Sequence, residues 1–486
     1  MSGWESPPLA MKRNYFYNLI FSFSNILFPI ITFPYVSRIL GPSGIGKVQF
    51  VTSFSQYFTL IAALGIPVYG IQVIAGAKGD FFKLSKVFSE LTSIYIITSL
   101  LLSLAYFALI FSVPFFGNQF QLFLFAGLIV VLSFTSIEWF YSGLEDFKTI
   151  AVRSVVIKSI ALVLTFTFIK EADDYLAYLL IVLFTIQGSH FLNVVLLRGK
   201  VSLSFSGLNL KRHLKPLLFI FSTTVAASMY TVLDTVILGF LTSDESVGLY
   251  TAAVKLTRIT IPIVISLGAI LVPQVARALA RNEQEDMKVM VNKAFGFVLL
   301  LAIPISVGLL LLAPEFIEVF SGEGFLLAVP SMQILSILPL LVGLGHLFAF
   351  VILVPAGFHK EVFYSVALGL GLCLALNFVL IPAFLEVGAS IANVLTEVVV
   401  TCSYLYFIQR NFRLSFNWMP SLKSILCASL FVPIIFGLRL LSLSAALTLT
   451  LSIGSCVLVY MTLQMLVLKN VLMMDLWQAV MKKLNL

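Results

Sequence analysis

Residues 18–75 read NLIFSFSNILFPIITFPYVSRILGPSGIGKVQFVTSFSQYFTLIAALGIPVYGIQVIA, two apolar runs joined by GPSGIGK. Gly41, four further residues, then Gly46 and Lys47 come close to a phosphate-binding P-loop. That loop needs Ser or Thr after the lysine to hold magnesium, and it links a buried strand to a helix. Here the position after the lysine is Val48, and each flank is long enough to cross about 30 Å of hydrocarbon as a helix. The stretch therefore reads as two membrane spans and their turn.

The rest of the chain follows the same pattern. Of 486 residues, 60% are hydrophobic and 11% charged, with a mean hydropathy of +1.06, outside the range of soluble domains. Span-length apolar runs occur near 15–38, 48–74, 88–112, 119–142, 150–169, 175–197, 216–240, 249–274, 291–313, 328–354, 361–382, 386–408, 422–441 and 444–468. The expectation is an all-α polytopic membrane protein with about fourteen transmembrane helices. Runs of this length exclude β-barrel strands, which are about ten residues long and alternate. The first span is too long for a cleaved signal peptide and lacks a small-residue cleavage site. Met11-Lys12-Arg13 just before it leaves two readings for residues 1–10, a dispensable extension or an upstream start.

Basic residues set the orientation. With the N-terminus inside, most of the 30 Lys and Arg fall on the cytoplasmic side, Lys158 and Arg153 among them. The outer side holds Arg38, Lys47, Lys170 and Arg439. Both termini are then cytoplasmic, GPSGIGK lies away from ATP, and the net charge of +8 reflects topology; no nucleic-acid partner is expected. The cysteines, Cys373, Cys402, Cys427 and Cys456, lack disulfide or metal spacing and read as small buried thiols.

Shifting the sequence by 202 positions superposes Gly46 on Gly248, Gln72-Val73 on Gln274-Val275 and Lys86-Val87 on Lys288-Val289. The repeat predicts an N-lobe of six spans at 14–198 and a C-lobe of six at 211–410. They would be parallel copies around a central cavity, with two peripheral helices at 421–468. No segment outside the spans has room for a soluble catalytic or ATP-binding domain.

Asn18, Ser22, Asn25, Pro29 and Thr32 share one face of the first span. The shift carries this stripe to Thr224, Thr231 and Asp234 on the seventh. Such residues either hydrogen-bond neighbouring helices or line a cavity, and the duplication favours a cavity. Charges inside the bilayer usually mark a pathway. Lys255 and Arg258 on the eighth span are accordingly candidate substrate contacts. Asp234 lies at the depth of Lys255, so the two either pair or share the substrate. Arg38, at the outer end of the first span, joins the set. Glu397, Glu138 and Asp234 are the candidates for ion coupling, Glu397 lying deepest in its span.

Three segments carry a family resemblance: 14–72, IEWFYSGLEDFKTIAVRSVVIKS at 137–159 followed by IKEADDYLAY, and VGLYTAAVKLTRI at 247–259. They resemble bacterial polysaccharide repeat-unit flippases, the O-antigen translocases of the multidrug/oligosaccharidyl-lipid/polysaccharide exporter superfamily. The resemblance extends to about residue 410. It implies a non-enzymatic transporter of the inner membrane, without a cofactor, that moves undecaprenyl-pyrophosphate-linked oligosaccharide from the cytoplasmic to the periplasmic leaflet by alternating access. Basic cavity residues would hold the pyrophosphate, which suits Lys255 and Arg258. Proton or sodium counter-transport and contacts with other polysaccharide-assembly proteins are further expectations. A drug or cation antiporter of the same superfamily is the alternative and would use acidic cavity groups. A membrane enzyme of polysaccharide assembly would need a large outer loop.

Overall fold

In the computed structural model the described residues are 9–474, apart from 267–271, 273, 276, 279, 280, 282, 283, 413, 469, 471 and 472. The side chains at 9–12, 15, 222–231 and 284, which include Thr224 and Thr231, also lie outside the description. Among the described residues there is no β-strand. The protein is an all-α, multi-pass membrane protein. It forms two compact units, Met1–Val232 and Leu233–Leu486.

The first unit contains α1 (Leu9–Ala63), α2 (Ile66–Ala75), α3 (Phe81–Ser112), α4 (Phe120–Val131), α5 (Glu138–Gly143), α6 (Phe147–Phe168) and α7 (Tyr175–Val195). It also takes the N-terminal part of α8 (Lys211–Leu241). The P-loop look-alike is a helix break: Gly41 sits at φ 64°, ψ −179°, a conformation open essentially to glycine alone. It separates the two apolar runs within α1. The core lies where α2, α3 and α5 meet, with Phe88 stacked on Trp139 at 5.6 Å and Ile66, Ile74, Leu91 and Phe140 fully buried.

The segment between α7 and α8 is strapped to α3. Ser202 N donates to Ser85 Oγ at 3.0 Å, Ser204 N to Ser89 Oγ at 3.1 Å and Asn209 N to Glu90 Oε1 at 2.9 Å. Glu90 is fully buried and also accepts from Arg212 and from His213 Nε2, the latter at 2.9 Å. At the start of α6, Asp146 caps the helix through Thr149 N and pairs with Lys200 at 2.5 Å. Burial pushes its carboxyl up, but the bonds from Lys200 and Thr149 outweigh that and hold it below the ordinary range.

The second unit contains the remainder of α8, then α9 (Asp244–Arg258), α10 (Ile261–Ile265), α11 (Gln284–Leu311), α12 (Ala313–Ser321), α13 (Val329–Leu335) and α14 (Leu338–His346). It ends with α15 (His359–Phe412), α16 (Met419–Ser429), α17 (Phe431–Arg439) and α18 (Ala445–Thr462). Arg439 clamps α17 to α12 with two bonds to Glu315, at 2.6 and 2.8 Å. Tyr460 of α18 donates to Leu300 O of α11 at 2.8 Å.

Among the described residues, by length and apolarity, ten helices are fit to cross a membrane, or eleven if one bent pair is a single span. That is fewer than fourteen, and the count depends on how segments are divided. The stretches Phe16–Ala63 and His359–Phe412 each enter as one span, although non-helical residues, Gly41 and Leu385, divide them.

Candidate functional site

The second unit holds a buried carboxylate built from three helices. Asp234 of α8 is fully buried. Its Oδ1 accepts from Asn377 Nδ2 at 2.7 Å and from Cys373 Sγ at 3.3 Å; its Oδ2 accepts from Asn393 Nδ2 at 2.5 Å and from the Tyr250 hydroxyl of α9 at 2.8 Å. In a continuous helix Asn377 and Asn393 would stand roughly 24 Å apart along the axis, too far to share one carboxylate. The break at Leu385, with φ 52° and ψ −129°, brings them together. Gly388 permits the close approach of the two halves: a Cβ there would stand 2.2 Å from Leu380 O. All four donors to Asp234 are neutral. An ionised carboxylate taken out of water is costly unless it is paired or well hydrogen-bonded, and here four hydrogen bonds take the place of a paired cation.

Among the described residues no ion pair joins Asp234 to Lys255, and Asp234 is occupied by amides, a phenol and a thiol. Lys255 and Arg258 lie in the last turn of α9, both half-buried, and Arg258 Nε is a buried donor without a partner among the described residues. Glu397 is buried on α15, close enough to act electrostatically on Tyr404. Cys373 is more than a bland thiol, since it contacts Asp234. Cys402 is exposed, contrary to the reading of four buried thiols.

In the first unit the polar stripe of α1 divides. Asn18, Ser22 and Asn25 are exposed, whereas Thr32 is buried with its hydroxyl donating to Phe28 O at 2.9 Å. Asn25 accepts from Lys158 of α6, whose Nζ also donates to Ser24 Oγ at 3.2 Å. Lys158 and Arg153, counted above with the cytoplasmic charges, instead lie well inside α6, Lys158 roughly 16 Å from its start at 1.5 Å per residue. Their charge is met within the helix bundle, because Arg153 is buried and donates to Glu138 Oε2 at 2.6 Å and to Ser189 O at 3.0 Å. Glu138 is thereby a partner of Arg153. Lys158 borders a cavity of about 440 Å³ lined by Leu19, Phe23, Leu27 and Ile31. Arg38 is exposed, one guanidinium nitrogen donating to Pro34 O at 2.7 Å.

Sequence reasoning missed Asn377, Asn393 and Tyr250, as well as Lys158. Two amides in otherwise apolar runs were the available signal for the first pair.

The family model described as "Polysaccharide biosynthesis protein" matches residues 11–279, more than half of the chain. The chain belongs to the polysaccharide biosynthesis protein family. A second model, MatE, matches residues 220–379. Among relatives, the chain is 26% identical over 419 residues to a candidate O-antigen transporter of Escherichia coli (strain K12), covering 83% of this chain and 98% of that protein. Among solved structures it is similar to the lipid II flippase MurJ in an inward closed conformation, with a TM-score of 0.75 at 15% identity over 94% of this chain and 99% of that one. An inward-facing multidrug transporter of the MATE family gives a TM-score of 0.63 at 16% identity, covering 79% and 94%. This member of the family thus shares its fold with both flippases and drug transporters.

Proposed function

We propose that the chain is a flippase for lipid-linked oligosaccharide, moving undecaprenyl-pyrophosphate-linked repeat units from the cytoplasmic to the periplasmic leaflet of the bacterial inner membrane, with both termini cytoplasmic. The observation that carries the reading is family membership over residues 11–279, joined to a near full-length match with a candidate O-antigen transporter. Arg258 and Lys255 are the cations proposed to receive the pyrophosphate. Outward movement of its negative charge, down an inside-negative potential, is favourable by about 2.3 kcal/mol per charge per 100 mV. Asp234 is the proposed coupling carboxylate, taking up a proton or sodium ion in exchange. Nothing in this cycle makes or breaks a covalent bond.

The test is reconstitution. Vesicles carrying the protein and a lipid-linked oligosaccharide should expose the glycan to an externally added glycosidase over time, and empty vesicles should not. Equal rates in both would refute the proposal. A drug or cation antiporter is the second reading, favoured by the MatE match at residues 220–379. It predicts that the same vesicles expel a hydrophobic cation when a proton or sodium gradient is imposed.

A further inference from the structure

The first unit contains a second cavity, of about 430 Å³, within the size range of small-molecule sites. Its polar lining comes from Gln56, Tyr57 and Thr59 of α1, Tyr95 of α3, Ser133 and Ser136 after α4, and His190 of α7. Among the described residues no Lys, Arg, Asp or Glu lines it. The backbone beside it is irregular: α4 gives way to a 3-10 turn at Ser133–Thr135, and Ser136 stands at φ −73°, ψ 73°. Non-helical backbone at membrane depth is tolerated only where it is buried in protein or borders a water-filled space.

Several of these groups are unsatisfied toward the cavity. Neither end of the Gln56 side-chain amide has a partner among the described residues, so two donors and an acceptor are available. Thr59 Oγ1 donates to Gln56 O at 2.8 Å and keeps its lone pairs. Gln187 Nε2 donates to Leu128 O at 3.0 Å, so Gln187 Oε1 is the acceptor facing His190 Nδ1 at 3.2 Å. That arrangement puts the imidazole proton on Nδ1 and leaves Nε2 as an acceptor. Ser133 and Ser136 stand beside the Tyr95 hydroxyl.

We infer that this cavity is a recognition subsite for an uncharged sugar of the transported glycan, an assignment that rests on the flippase reading and deepens it. A sugar offers hydroxyls that both donate and accept, with apolar C–H faces between them. An amide, an imidazole acceptor, hydroxyls and a tyrosine ring match that mixture. A phosphate or an acidic sugar would bring an anion to a lining without a cation, which is costly when water is excluded. A hydrophobic cation would find no carboxylate there.

The test uses the full-length protein in lipid nanodiscs and two probes measured by calorimetry. One is a short-chain polyprenyl pyrophosphate bearing a neutral disaccharide, the other the same lipid without sugar. Wild-type protein should bind the first more tightly. Gln56→Leu, at an exposed position of similar volume, should weaken the disaccharide probe about tenfold, the effect of one or two hydrogen bonds, and leave the sugar-free probe within twofold. Ser136→Ala should act in the same direction. The inference is overturned if wild type binds both probes equally, if the variants leave the disaccharide probe unchanged, or if both probes weaken alike. Binding of neither probe by wild type would take down the flippase reading as well.

Discussion

Asp234→Asn tests the buried carboxylate almost without changing its shape. Asp234 accepts four bonds, two on each oxygen, and asparagine has only one oxygen. Its NH₂ would face two donors in place of an acceptor, so at least two bonds to a charged group go, at about 1.5 to 3 kcal/mol each. Asn377 Oδ1 and Asn393 Oδ1 are buried and have no partner, so one of those amides turning over would restore a neutral bond of about 1 kcal/mol. The net loss works out at about 2 to 5 kcal/mol if Asp234 is ionised at rest. Thermal unfolding of purified protein in one detergent, in sodium and in choline buffers and at two pH values, measures both this loss and its linkage. At a cation concentration a hundred times Kd, wild type should gain about 2.7 kcal/mol, and the variant should gain nothing. If Asp234→Asn is as stable as wild type in choline, the resting carboxylate is not ionised. A cation-dependent stabilisation that survives in the variant would remove Asp234 from the coupling site.

Glu90→Ala should release the strap at 201–210, because it deprives Asn209, His213 and Arg212 of their shared acceptor; trypsin cleavage around Lys200 and Lys211 should then accelerate at least about tenfold, as loss of some 1.4 kcal/mol of local stability implies, and unchanged cleavage would show that the serine contacts alone hold the segment. Gly388→Ala must displace the Leu380 carbonyl and should lower the unfolding midpoint sharply, whereas Gly371→Ala, with nothing within 4 Å of its Cβ, should not. Arg258→Gln should abolish glycan export at normal protein abundance and Arg258→Lys should keep part of it, as a retained cation requires; wild-type export from Arg258→Gln would exclude a need for the charge.

The membrane class was legible in the sequence because hydrophobicity acts locally, and so was the break at Gly41, where a glycine and a proline interrupt two apolar runs. Asp234 and Glu397 were legible as buried groups because they stand alone in apolar surroundings. The ligands of Asp234 were not, since Asn377 and Asn393 lie 143 and 159 residues away and meet it only through the reversal at Leu385. Lys158 and Arg153 were misplaced for a different reason. The apolar run at 150–169 already contains both, yet they were counted with the cytoplasmic charges; the folded chain satisfies them with Asn25, Ser24, Glu138 and a backbone carbonyl, partners that no local pattern reveals. Thr32 shows the limit of face periodicity, for a hydroxyl on the polar stripe can still turn to its own helix.

The thiol of Cys373, 3.3 Å from Asp234 and almost wholly buried, supplies a chemical clock inside the protein. A small alkylating reagent can reach that sulfur only while the cluster is open, so its rate of modification counts openings of the carboxylate site in working membranes, with no added label. With the exposed Cys402 replaced by serine, mass spectrometry of the peptide bearing Cys373 would read that rate under each imposed gradient. Every 1.4 kcal/mol by which an added cation favours the closed cluster would slow the modification about tenfold, so the sulfur would record whether cations act at its neighbour at all.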